Sequence, residues 1–277
     1  MDQSQRVEPL ETTIRRPLSR FGSRLRSFLE LLLALVWRDL TQRYRRSFLG
    51  PAWAVLQPLI LMVLFNMIRG FVDIPSDGVP YVIFTYSALV PWTFFSNAIS
   101  LCGPSVYSNA AILKKISLPR EVFPLSAIVT ALFDFFMSSI ILIGMMFWYH
   151  VPLRWALLLW IPVLLLITVL LALGAGMMIA ALGSFKRDFV FATPFLMQFW
   201  MFATPIIYPL SSVPERQRSL IMLNPMVGVI EGFRNVLIKG IPPPTDALLV
   251  SLAVTFGLLL VTWPVFRWLS QYFADVM

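Results

Sequence analysis

The residues able to do chemistry are few, and most stand alone. Asp134 interrupts an otherwise uncharged run from 122 to 149. At the centre of a bilayer such a charge costs roughly 2.5–3.5 kcal/mol, so it must be protonated, paired or turned toward water. Two roles are open to it: a hydrogen bond inside a helix bundle, or a place on a polar pathway. In NAAILKKISLPREVFPLS, Lys114, Lys115, Arg120 and Glu121 surround Pro119. That composition suits a polar, reversible contact with another protein, or simply a basic loop beside a membrane. In LNPMVGVIEGFRNVL, Glu231 and Arg234 stand three apart, close enough to pair on a helix. There Asn224 is a good N-cap and Pro225 a good first helical residue.

Enzymatic chemistry is poorly served. There is no GxxxxGK[ST] loop to cradle nucleotide phosphates and no HExxH. His150 is the only histidine and Cys102 the only cysteine, which excludes Cys/His metal sites and disulfide scaffolds. His150 reads as structural, Cys102 as inert packing. A polytopic enzyme working on a lipid carrier would need clustered acids near the membrane surface, and no such cluster is present.

The elements that must position these residues are membrane spans. The chain has 277 residues, 58% hydrophobic and 13% charged, against about 45–50% and 25% in soluble domains. Six runs are long enough to cross, at 47–68, 79–101, 122–149, 155–185, 189–210 and 247–266. Span four carries Ala172, Gly176, Ala180 and Ser184 at every fourth position, a stripe that admits a close helix. Pro58, Pro194 and Pro205 are expected to kink spans one and five. Trp148, Tyr149 and Trp155 bracket the outer turn as interface aromatics do. No cleavable signal peptide is expected, because a long charged arm precedes the first apolar run.

Basic residues orient the bundle. Sixteen of the 22 Lys and Arg fall on the side holding both termini, ten of them before span one. The positive-inside rule therefore places both termini in the cytoplasm, and the net charge of +8 reflects topology rather than nucleic-acid binding. FLELLLALVWRDLTQRYRR reads as an amphipathic helix in the cytoplasmic interface. Leu29, Leu32, Leu33, Val36, Leu40 and Tyr44 form its apolar face, and Arg38, Arg43, Arg45 and Arg46 point toward head groups. Residues 213–240 read as a re-entrant helical hairpin on the outer side. Met226, Val229, Ile230, Phe233 and Leu237 would lie on the bundle, and Gly228, Glu231, Gly232, Asn235 and Lys239 would face an exit.

Several stretches together resemble one family. RDLTQRYRRSFLGPAWAVLQPL is similar to the approach to span one in the membrane subunits of type-2 ABC exporters of polysaccharides. NAAILKKISLPREVFPLS resembles their cytoplasmic connection between spans two and three. LNPMVGVIEGFRNVL resembles their segment before the last span, and FRWLSQYFADVM their ending. The likeness runs from about residue 28 to the end. It divides the chain into a variable basic arm (1–27), an interface helix (28–46), a transmembrane domain (47–269) and a cytoplasmic tail (270–277).

The resemblance implies an all-α integral membrane protein of the inner membrane, a homodimer without enzymatic activity or bound cofactor. It would pair with two copies of a separate subunit that holds ATP and Mg. The substrate would be a lipid-linked glycan on undecaprenyl diphosphate, with O-antigen, capsule, teichoic acid and a small amphiphile all open. By the same resemblance, Arg38, Asp39, Arg43, Tyr44, Lys114, Lys115, Pro119, Arg120 and Glu121 would couple to the ATPase. Phe191, Phe195, Phe199 and Phe202 share one face of span five; such a stripe is lipid-facing or core by spacing, and channel-lining by resemblance. Asn224, Pro225, Glu231, Arg234 and Asn235 would form an outer gate, and Arg45 and Arg46 would meet the diphosphate at the cytoplasmic entrance.

Overall fold

The structure, a computed structural model, describes residues 11–45, 47–114 and 118–273, with 11–24 as backbone only. Among the described residues it is an all-α bundle. Five helices are long and apolar enough to cross a bilayer: α2 (Ala52–Arg69), α3 (Tyr81–Ser105), α5 (Val122–Trp148), α6 (Trp160–Phe185, with a preceding single turn from Trp155) and α10 (Thr245–Ser270). The others are α1 (Glu11–Tyr44), the short α4 (Ala110–Leu113), α7 (Asp188–Phe202), α8 (Glu215–Met222) and α9 (Pro225–Arg234).

α3 is the central helix. It carries no charge and is apolar or small over most of its surface, and a helix of that kind is largely buried. α5, α6, α7, α9 and α2 surround it. The small-residue stripe of α6 faces it: Ala172 and Ala180 are fully buried, and a Cβ on Gly176 would come within 2.7 Å of Cys102 Sγ. Ser184 instead bonds back to the Ala180 carbonyl.

The fifth span differs from expectation. Its helix α7 has 15 residues, about 22 Å at 1.5 Å per residue, short of the ~30 Å hydrocarbon core. The chain runs through Pro194 unbroken but turns after Phe202, where Pro205 has no N–H to continue the ladder. Residues to Leu210 then follow in turns. Pro58 likewise sits inside a continuous α2. The first span begins later than expected, at Ala52, after turns around Gly50 at φ +51°.

The hairpin at 213–240 is present as two helical segments. α8 meets α9, extended by a π turn at Asn235–Lys239, at 103°. Asn224 caps α9 by accepting from the Met226 N–H at 3.0 Å, and Gly240 ends it in the left-handed region. Pro225 O accepts from Ser251 Oγ at 2.6 Å, and Gly240 packs beside Arg154. α9 thus begins beside the second turn of α10 and climbs back to the α5–α6 connection.

α1 is continuous from Glu11, across the boundary expected at residue 28. Arg38 and Arg43 depart from expectation, bonding to Asn109 and Asp134 of the bundle rather than facing head groups. Leu25, Leu29, Leu33 and Trp37, four apart, are exposed, while Leu35 and Val36 are buried. Arg38 and Asp39 turn toward Asn109, in the turn between α3 and α4, and Ser126 of α5, and Arg43 and Tyr44 reach Asp134 of α5.

Candidate functional site

Polar groups gather at three levels. The first is where α1 meets α5. Asp39 accepts from Arg38 at 2.7 Å and 3.0 Å; Arg38 also donates to Asn109 Oδ1 at 2.8 Å, and Ser126 Oγ donates to Asp39 at 3.4 Å. Further along, Arg43 Nη1 lies 2.8 Å from Asp134 Oδ2, and the Tyr44 hydroxyl donates to Asp134 Oδ1. Asp134 is the thirteenth of 27 residues in α5, so the end of α1 reaches the middle of a spanning helix. The lone acid is therefore paired. A cavity of about 490 Å³ lies beside this joint, lined by Gln42, Ser105, Ser108 and Thr130 among others.

Sequence reasoning grouped these α1 residues with the charged connection, but the two are spatially distinct. Arg38, Asp39, Arg43 and Tyr44 spend their polar atoms on the bundle. Lys114 and Pro119 are exposed, Arg120 is half-buried, and Glu121 pairs with Arg267 of α10 at 3.3 Å. Arg187 stacks over the Tyr107 ring at 5.4 Å, which brings the α6–α7 turn to the same end. Arg45 is exposed; Arg46 and Lys115 lie outside the described residues.

The second level is a cleft of about 280 Å³ between α2, α3 and α7. Gln57, Thr93, Ser96, Asn97, Ser100 and Gln198 line it with Trp92 and Met197. Asn97 Nδ2 donates to Gln57 Oε1 at 3.3 Å. Sequence reasoning missed these groups. The available signal was uncharged amides inside otherwise apolar spans, which no charge count registers. Phe191, Phe195, Phe199 and Phe202 lie on α7 outside this cleft, all exposed, with the Phe195 and Phe199 rings 4.7 Å apart edge to face.

The third level is α9. Its polar residues do not face an exit. Gly228 packs on Ala247 and Ser251, Gly232 on Leu164, and Glu231, Arg234 and Asn235 are buried. The reason is that the apolar core has polar partners here. Arg234 donates to Glu231 at 2.6 Å and to the Ile206 carbonyl at 3.0 Å, with its guanidinium 3.7 Å from the Phe84 ring centre. Lys239 pairs with Asp77 at 2.7 Å, and Ser211 donates to the same carboxylate at 2.7 Å. Burial alone would raise the Asp77 carboxyl. The hydrogen bonds from Lys239 and Ser211, with the charges of Lys239 and Arg234, hold it below its ordinary value. Asn224 accepts from Trp200 Nε1 at 2.9 Å and donates to Thr204 Oγ1 at 2.8 Å, fastening α9 to the end of α7.

The profile of the ABC-2 type transporter family matches residues 30–238. The O-antigen export system permease protein RfbA of Myxococcus xanthus is 31% identical over 248 residues, covering 88% of this chain and 94% of that protein. Its namesake from Klebsiella pneumoniae is 27% identical over 254 residues, 90% and 95% of the two chains. The polysialic acid transport protein KpsM of Escherichia coli is 24% identical over 224 residues, 75% and 81%. The chain belongs to the ABC-2 type transporter family and is a multi-pass membrane permease related to those of O-antigen and polysaccharide export.

Proposed function

We propose that this ABC-2 type permease exports a lipid-linked, O-antigen-like polysaccharide across the cytoplasmic membrane, driven by ATP hydrolysis on a separate subunit. The observation that carries the reading is the end-to-end likeness to O-antigen export system permease proteins. The working unit in this reading is two copies of the chain with two ATPase subunits, and the glycan travels on undecaprenyl diphosphate. Both termini are cytoplasmic, with the arm 1–27, interface helix 28–46, transmembrane domain 47–269 and tail 270–277 as units. Placement of basic residues supports that orientation, since Arg267 and Arg187 share the end carrying Lys114 and Arg120.

Lys114, Lys115, Pro119, Arg120 and Glu121 form the ATPase contact in this reading. Arg38, Asp39, Arg43 and Tyr44 act behind it, passing movement of α1 to α5 through the ion pair with Asp134. Phe191, Phe195, Phe199 and Phe202 line the path as stacking surfaces for sugar faces, Arg45 and Arg46 receive the diphosphate, and Asn224, Pro225, Glu231, Arg234 and Asn235 belong to the outer gate. Deleting the chain in a host that makes such a polymer tests the proposal. Surface polymer disappears and lipid-linked polymer accumulates inside; undiminished surface polymer overturns the reading. Lys114→Glu is expected to lower export while leaving ATP hydrolysis by the partner.

A further inference from the structure

The cleft between α2, α3 and α7 holds polar groups that are largely unpartnered among the described residues. Gln57 and Gln198 are exposed, and Ser96, Asn97 and Ser100 are half-exposed, all well inside helices otherwise built of apolar residues. Ser96, Ser100 and Gln198 make no side-chain hydrogen bond to any described residue. Asn97 and Gln57 share one bond at 3.3 Å and leave their remaining donors and acceptors free. Thr93, by contrast, is satisfied by its own helix through the Leu89 and Val90 carbonyls. Amides and hydroxyls directed into hydrocarbon each lose several kcal/mol of hydration. Five of them converging on one cleft mark a surface that meets water or a polar ligand, not lipid tails.

The chemistry of the lining narrows the ligand. Every polar group in the cleft is neutral, and none is a lysine, arginine or acid. Amides and hydroxyls both donate and accept, which matches sugar hydroxyls. A carboxylate or phosphate entering here would shed water without meeting a cation. The volume of about 280 Å³ is near the lower limit for small-ligand sites. Resting on the transport reading above, we infer that Gln57, Ser96, Asn97, Ser100 and Gln198 form a hydroxyl-binding subsite of the translocation path that favours uncharged sugar units over acidic ones.

The test uses the full chain with its native partners in a polymer-producing host. Cysteine at 57, 97 or 198 is probed in membranes with a water-soluble, membrane-impermeant thiol reagent; native Cys102 is fully buried and silent. Labelling is expected at all three. Failure to label, or spontaneous disulfides between copies, shows a lipid-facing or copy-to-copy surface and overturns the subsite. The triple variant Gln57→Leu, Asn97→Leu, Gln198→Leu, at unchanged membrane level, is expected to slow export of an uncharged polymer roughly tenfold, from three lost hydrogen-bonding groups. Gln198→Lys is expected to raise export of a polymer carrying one carboxylate per repeat. Unchanged rates in both variants overturn the subsite alone. Persistence of export after deletion of the whole chain overturns the transport reading instead.

Discussion

The joint between α1 and α5 gives an asymmetric prediction. Asp134 is buried, its side chain 4% exposed, whereas that of Arg43 is 32% exposed. Arg43→Leu leaves a carboxylate near the middle of a spanning helix with only the Tyr44 hydroxyl to satisfy it. Stranding a buried charge by removing its partner costs about 3–5 kcal/mol, and the upper part of that range is trimmed because Arg43 is partly solvated. Asp134→Asn is milder. The amide still accepts from Tyr44, and the freed guanidinium turns outward, so the loss is about 1–2 kcal/mol. The double variant Arg43→Leu, Asp134→Leu removes both charges together. It should be less damaging than Arg43→Leu alone, since replacing a buried pair with apolar side chains is often neutral. The assay is denaturant unfolding of the purified protein in micelles, analysed as a double-mutant cycle closed by the single variants Arg43→Leu and Asp134→Leu. Equal losses in both single variants, with a double equal to their sum, would refute the claim that Asp134 is charged and held by Arg43.

Two further outcomes follow from the outer side and the helix contacts. Because the folded Asp77 carboxyl is held below its ordinary value, its contribution is complete above about pH 4 and disappears as pH falls through the lowered folded value. Thermal midpoints of wild type and Asp77→Asn should therefore differ at neutral pH and converge in acid, and a gap that widens in acid would contradict the Lys239–Asp77 contact. A Cβ at Gly228 would stand 2.3 Å from the Ala247 carbonyl oxygen, and one at Gly183 would stand 2.5 Å from Val190 Cγ2. Both Gly→Ala changes should destabilise by about 1–3 kcal/mol. Val190→Ala should relieve only the second, because its obstacle is a side chain and the other is backbone; melting of the four variants checks this.

Span positions were legible because hydrocarbon thickness imposes a run length that the charges punctuate, and four of the five long helices begin and end within a few residues of the expected limits. α7 was less legible, since composition continues apolar past Phe202 and only Pro205 signals that the ladder stops. The polar residues of α1 and α9 were misplaced for one shared reason, whereas Met226, Val229, Ile230 and Phe233 lie on the bundle as expected. Periodicity turns polar residues away from the apolar face and toward water, a rule for a solvated surface. At membrane depth the exterior is apolar, so Leu29, Leu33 and Trp37 turn outward while Arg43 and Arg234 turn inward to Asp134 and Glu231. The pairing partners lie 91 residues apart in one case and three in the other, and only the shorter separation is visible along the chain.

That inversion bears on how movement passes through the bundle. α1 touches the core through charge-assisted bonds at Asn109, in the turn between α3 and α4, and at Ser126 and Asp134, both on α5, while its outward Leu25, Leu29 and Leu33 have no polar side-chain groups to make such bonds. A push on α1 therefore meets little resistance from lipid and strong, geometrically specific resistance from α5. Ser138, one turn beyond Asp134, donates to the Ala54 carbonyl at 2.7 Å, so the same face of α5 also holds the first turn of α2. Gln57 follows one turn later on α2, at the cleft. A displacement of α1 thus has a continuous route of side-chain contacts, Arg43 to Asp134, then Ser138 to Ala54, that ends at the amide surface proposed to bind sugar. Ser138→Ala breaks that route without stranding a charge. It is expected to reduce polymer moved per ATP hydrolysed, measured in vesicles, while the Arg43–Asp134 coupling energy stays unchanged; an unaltered ratio would show that α2 receives its movement by another path.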